Sequence, residues 1–107
     1  MLEIERLADM LTKAGVPFER NDAEEEKKFA SIGDRYMRRI AYPSKKDRIC
    51  SAIQGFGSYG EKQNLIEIMG ILTEHGNAGD VEGCLTAKDV FTRIKKHWDT
   101  YKEANND

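Results

Sequence analysis

An α+β domain, built from a small three-stranded antiparallel sheet and three helices in the order α-β-β-β-α-α, is the fold class this sequence predicts. Three observations predict it. Apolar residues recur at helical spacing near both ends of the chain, apolar and polar residues alternate in its first half, and the links between the alternating runs are too short for parallel crossovers. At 107 residues the chain has the length of one domain, and no repeat or linker divides it. Its 39% hydrophobic and 34% charged residues fit a folded globule better than a disordered or membrane-spanning chain.

Leu2, Ile4, Leu7, Ala8, Leu11 and Ala14 line one face of a first helix. Glu3 and Glu5 near its start and Lys13 near its end complement the helix dipole, and Gly15 with Pro17 supplies a stop. Val16, Phe18 and Arg20 then alternate with Pro17 and Glu19 as in a short edge strand. Residues 21–34 are expected to form a charged, solvated excursion, because Asp22, Glu24, Glu25, Glu26, Lys27 and Lys28 offer no apolar face to anchor. Residues 35–42 read as a second strand with Tyr36, Ile40 and Tyr42 on one side. Arg38 shares that side, which calls for a stem packed beneath its charged head or for a bulge.

A turn-prone link at 43–47 precedes a third strand over 49–56, where Ile49 and Ile53 face one way and Cys50, Ala52 and Phe56 the other. That pattern suits a central strand covered on both sides. Leu65, Ile68, Met69 and Leu72 predict a second helix over 61–73, weakened by Gly70. Residues 75–83 contain three glycines and read as a loop. Thr86 and Asp89 then form the N-cap of a third helix, whose apolar stripe is Val90, Phe91, Ile94, Trp98 and Tyr101. Residues 105–107 are expected to fray. The helices are expected to cover one side of the sheet and to leave the other free for docking.

Seventeen Lys plus Arg against nineteen Asp plus Glu leave a net charge of −2, so no global field points to a polyanion. Cys50 and Cys84 provide no disulfide framework and are expected to be reduced and buried. They form no C-x-x-C pair, and His75 and His97 are not spaced as metal ligands on one helix face; no metal or other cofactor is expected. Glu3, Glu5, Arg6 and Asp9 interrupt the N-terminal apolar residues, so that segment lacks the core of a secretory signal, and a cytoplasmic location without membrane association is expected.

Residues 55–60 read G-x-G-x-x-G, with Gly57, Ser58 and Gly60 as candidate anion-binding or turn residues. The antiparallel context and Glu61, standing where a phosphate-binding lysine would be useful, favour a glycine-rich turn. Residues 78–89 follow part of a calcium loop's spacing, but Ala78 occupies the first ligand position and Asp89 the last, where a longer bidentate Glu is expected. The main charge asymmetry lies at 35–48, where Arg35, Arg38, Arg39, Lys45, Lys46 and Arg48 oppose Asp47 alone, a local charge of about +5. With Tyr42 these six cations are the candidate macromolecule-binding residues; Tyr36 and Tyr42 either stack bases or face the core. Catalysis is not expected: Ser58 lacks a nucleophile-elbow context, and neither histidine has a Cys or Ser partner suggested by spacing.

The runs 49–53 (ICSAI), 57–60 (GSYG), 65–73 (LIEIMGILT) and 83–91 (GCLTAKDVF) resemble a family of small uncharacterised proteins from phages and prophages of Firmicutes. The resemblance spans about Leu2 to Ile94 and brings no residue-level site. It implies a non-enzymatic accessory protein that binds a host macromolecule, with a host protein as the preferred partner and inhibition of a bacterial defence system as one such role. The alternative is a nucleic-acid-binding module using residues 35–48.

Overall fold

The computed structural model describes residues 1–20, 22–24, 36–55 and 63–104. Two helices, α1 (Glu3–Lys13) and α2 (Ala87–Ala104), lie together against one face of an antiparallel sheet. Its strands are β1 (Glu19–Arg20), β2 (Ala23–Glu24), β3 (Tyr36–Tyr42), β4 (Cys50–Gln54), β5 (Ile66–Gly70) and β6 (Val81–Leu85). Five run in the order β1-β3-β4-β5-β6, and β2 adds a second short segment beside β3 in the register β1 began. Between β1 and β2 the Asp22 carboxylate accepts the Arg39 backbone N–H at 2.9 Å, which interrupts the ladder without shifting it.

In α1, Ile4, Leu7 and Leu11 are fully buried, as their spacing requires. The helix ends in a Schellman arrangement: Gly15 at φ +71° donates to the Thr12 carbonyl, and Val16 donates to that of Leu11. Its start has no local side-chain cap. The Glu3 and Ile4 N–H groups donate instead to Asn64 at 3.1 Å and to the buried Gln54 at 2.9 Å, so the sheet itself caps the helix. Glu3 in turn accepts the Ala87 N–H at 2.6 Å and places a carboxylate at the positive end of α2. Thr86 and Asp89 complete that end reciprocally, each accepting the other's backbone N–H at 3.1 Å.

The fold differs from the expected three strands and three helices. Residues 61–73 hold no helix among those described; β5 occupies 66–70 and pairs with β4 and β6. The apolar seam at three- and four-residue spacing arises because β5 is central, with Ile66, Glu67 and Ile68 all buried, so the two-residue alternation of a half-buried strand is missing. Gly70 fits this account: at φ +128°, a Cβ there would lie 2.3 Å from the Ile49 carbonyl oxygen. Of the expected loop at 75–83, residues 75–80 form turns and irregular chain as expected, while 81–83 open β6, whose mixed apolar and polar residues reflect an edge position. A bulge sets Gly83 and Cys84 opposite Glu67, with Cys84 at φ +60°. Cys84 is therefore exposed, against the expectation of two buried thiols, while Cys50 is buried. Within the expected excursion at 21–34, Ala23–Glu24 form β2; residues 25–34 lie outside the described residues, as do 105–107.

Ile40, Tyr42, Cys50, Ala52, Ile66, Ile68 and Leu85 point toward the helices and meet Ile4, Leu7, Leu11, Val90 and Ile94 in one core. Arg38 pairs in register with Gln54, so no bulge intervenes between β3 and β4, and its side chain is half-buried. Opposite the core, Met37 and Ala41 are buried, Ser51 and Ile53 are half-buried, and Met69 and Val81 are exposed. The face expected to be free for docking is thus open chiefly beside the β6 edge.

Candidate binding cleft

A helix of 18 residues is about 27 Å long, whereas a five-residue strand spans about 17 Å. Only Ala87, Val90 and Ile94 of α2 are fully committed to the core, all from its first half. The later turns overhang the sheet and face the link between β3 and β4. His97, Trp98 and Tyr101 fall at three- and four-residue spacing there, so they share one side of the helix.

The opposing wall comes from 42–49. The Tyr42–Pro43 peptide bond is cis. Ile49 donates to the Tyr42 carbonyl at 2.7 Å, the Asp47 N–H donates to Ser44 Oγ at 3.1 Å, and the Lys45 N–H donates to Glu19 at 2.8 Å. These bonds hold the link in a defined shape with Lys45, Lys46, Asp47 and Arg48 exposed. Between the walls is a cleft of about 330 Å³ lined by Tyr42, Pro43, Asp47, Ile49, His97, Trp98 and Tyr101. The Tyr42 hydroxyl and His97 Nδ1 share a hydrogen bond of 2.7 Å, and the two rings meet edge to face. Burial, reinforced by the nearby Cys50, Asp99 and Tyr101, pushes the Tyr42 phenol up to about 12, so it remains a neutral hydroxyl at physiological pH. Tyr101 stacks on Trp98 with centroids 5.7 Å apart and an interplanar angle of 20°, and the Lys102 ammonium sits 5.7 Å from the Trp98 centroid.

The structure brings together part of the expected binding set. Lys45 and Lys46 are exposed on the link whose Asp47 lines the cleft, whereas Arg48 turns away from it, reaching Ser51 Oγ at 3.5 Å on the sheet face opposite the core; Tyr42 forms part of the inner wall although only 1% exposed. Arg38 and Arg39 lie about 10–13 Å back along β3, on opposite faces and half-buried, so they do not extend the same surface. Arg35 lies outside the described residues, as do Gly57, Ser58 and Gly60 of the glycine-rich run. Asp47, His97, Trp98 and Tyr101 complete the cleft. Trp98 packs half-buried against the edge of the core, and Tyr101, three residues further along the stripe, is 51% exposed. Two aromatics past the last core aliphatic, next to a histidine, were the sequence signal for this site.

The carboxylates of 78–89 have separate tasks. Asp80 accepts the Asn77 N–H, Glu82 binds Arg93 in a two-pronged pair at 2.7 and 2.8 Å, and Asp89 caps α2. Hydrogen bonding to Arg93 holds Glu82 down at about 2. Burial pushes the Cys50 thiol up to about 12, so it carries no thiolate at neutral pH. No group of three or more metal-ligating side chains converges among the described residues, and no described helix is long and apolar enough to cross a membrane.

Comparison with protein-family models, curated proteins and solved structures finds no match to this chain, and nothing in it links the chain to phage proteins.

Proposed function

We propose that this chain is a non-enzymatic binding protein that engages a macromolecule through the cleft between α2 and the β3–β4 link. The observation that carries the reading is the juxtaposition of aromatic walls with two exposed cations, Lys45 and Lys46, on the link whose Asp47 lines the cleft. Aromatic surface beside flexible positive charge supplies desolvation energy and electrostatic steering together. A phage-type accessory role rests on the resemblance of the four segments quoted above.

Affinity capture from a bacterial lysate, with and without nuclease, tests the proposal when wild type is compared with Lys45→Glu/Lys46→Glu/Tyr101→Ala. All three side chains are exposed, so the variant is expected to stay folded. The expected result is a partner recovered by wild type and lost by the variant. Equal recovery by both proteins would place the binding surface elsewhere.

A further inference from the structure

Resting on that reading of the cleft, we infer that its occupant is single-stranded nucleic acid, with one unpaired base entering against the Trp98–Tyr101 stack and the adjoining phosphates held by Lys45 and Lys46. The cleft, at about 330 Å³, lies within the range of sites that enclose a small planar group. Tyr101 already stacks on Trp98 and Lys102 lies 5.7 Å from the Trp98 centroid, so an entering base extends this existing stack, and base–aromatic stacking tolerates every sequence. The cations stand on the link beside the cleft, which is where a backbone must pass if its base points inward.

Charge selects among polyanions. Asp47 lines the cleft itself and has no ion-pair partner among the described residues. A carboxylate there repels a phosphate or an acidic side chain that tries to enter, while it accepts a hydrogen bond from an amino or ring N–H of a base. An acidic peptide would satisfy the lysines but bring carboxylates toward Asp47 and leave the ring faces without a planar counterpart. A duplex keeps its bases stacked and could use only the lysines.

Trp98 is the chain's sole tryptophan, so intrinsic fluorescence reports directly on this cleft. The experiment titrates the full chain with 12-nucleotide single strands of DNA and RNA, the corresponding DNA duplex, and a poly-glutamate peptide, each at 50 and 200 mM salt. Single strands are expected to quench Trp98 saturably. With two phosphate contacts, affinity should fall roughly 7-fold between the two salt concentrations. Lys45→Glu/Lys46→Glu should abolish most of that salt dependence, and Tyr101→Ala, at an exposed position, should weaken binding roughly tenfold at constant fold. Binding of duplex equal to that of single strand, or binding without a Trp98 response, would overturn the inference. Quenching by poly-glutamate but not by single strands would also overturn it, yet leave the cleft as a binding surface for an acidic protein. Silence toward every polyanion, together with equal capture by wild type and variant, would overturn both.

Discussion

Replacing Gly70 by alanine separates the two structures that residues 61–73 could form, because it reverses the sign of the effect. In an exposed helix interior Gly→Ala stabilises by about 1 kcal/mol. In the observed sheet Gly70 adopts φ +128°, and an added Cβ would lie 2.3 Å from the Ile49 carbonyl oxygen and 3.3 Å from its carbon. The backbone conformation alone costs an L-residue about 1–3 kcal/mol. The obstruction is main chain, so relief requires moving Ile49–Cys50, whose neighbour Tyr42 accepts the Ile49 N–H. Displacement of packed structure adds about 1–3 kcal/mol. The expected destabilisation of Gly70→Ala is therefore about 2–6 kcal/mol, a large share of the ~5–15 kcal/mol typical of a domain. Urea unfolding followed by circular dichroism, with the Trp98 signal as a second probe, measures it. The midpoint should fall with little change in slope, and the thermal midpoint should drop by about 8 °C or more. A neutral or stabilising result would refute the β5 assignment and the close approach of β4 and β5 at this point.

Gln54→Leu keeps the approximate volume but removes the acceptor of the buried Ile4 N–H, so a loss of about 1–3 kcal/mol is expected in the same denaturation assay. Glu82 sits at about 2 when folded against an ordinary value of 4.5, so its contribution is fully present above pH 4.5 and disappears as the pH falls toward 2. Glu82→Gln should remove about 1–2 kcal/mol at pH 7, discounted for partial exposure, and flatten the stability profile between pH 4.5 and 2. A thiol reagent should label one cysteine of the native protein, Cys84, with Cys50 reacting only on unfolding; peptide mapping of the label checks this.

Of the cleft, the residues were visible in the sequence but their association was not. Tyr42 and His97 are 55 positions apart, and their hydrogen bond depends on where α2 overruns the sheet. The basic run at 35–48 gave the cations, but strand alternation divided them. Arg38 and Arg39 turn to opposite faces of β3, and Arg48 reaches back to Ser51 on the face opposite the core, so only Lys45 and Lys46 remain on the link by the cleft. Trp98 and Tyr101 share the stripe of Val90 and Ile94, and only the length of the helix relative to the sheet separates a core position from a cleft wall.

By itself the sequence determined what is decided within a few residues. The stripe of α1, its arrest at Gly15, the Thr86–Asp89 cap of α2 and the alternation of β3 all follow from helical or pleated geometry acting locally. Tertiary structure decided the rest. Residues 66–70 became a strand because β4 and β6 satisfy its backbone on both sides and both of its faces are covered through Ile68, a condition that no local pattern encodes. The start of α1 is likewise capped by Gln54 and Asn64, side chains 50 and 61 residues distant, because a buried N–H needs an acceptor wherever the fold supplies one.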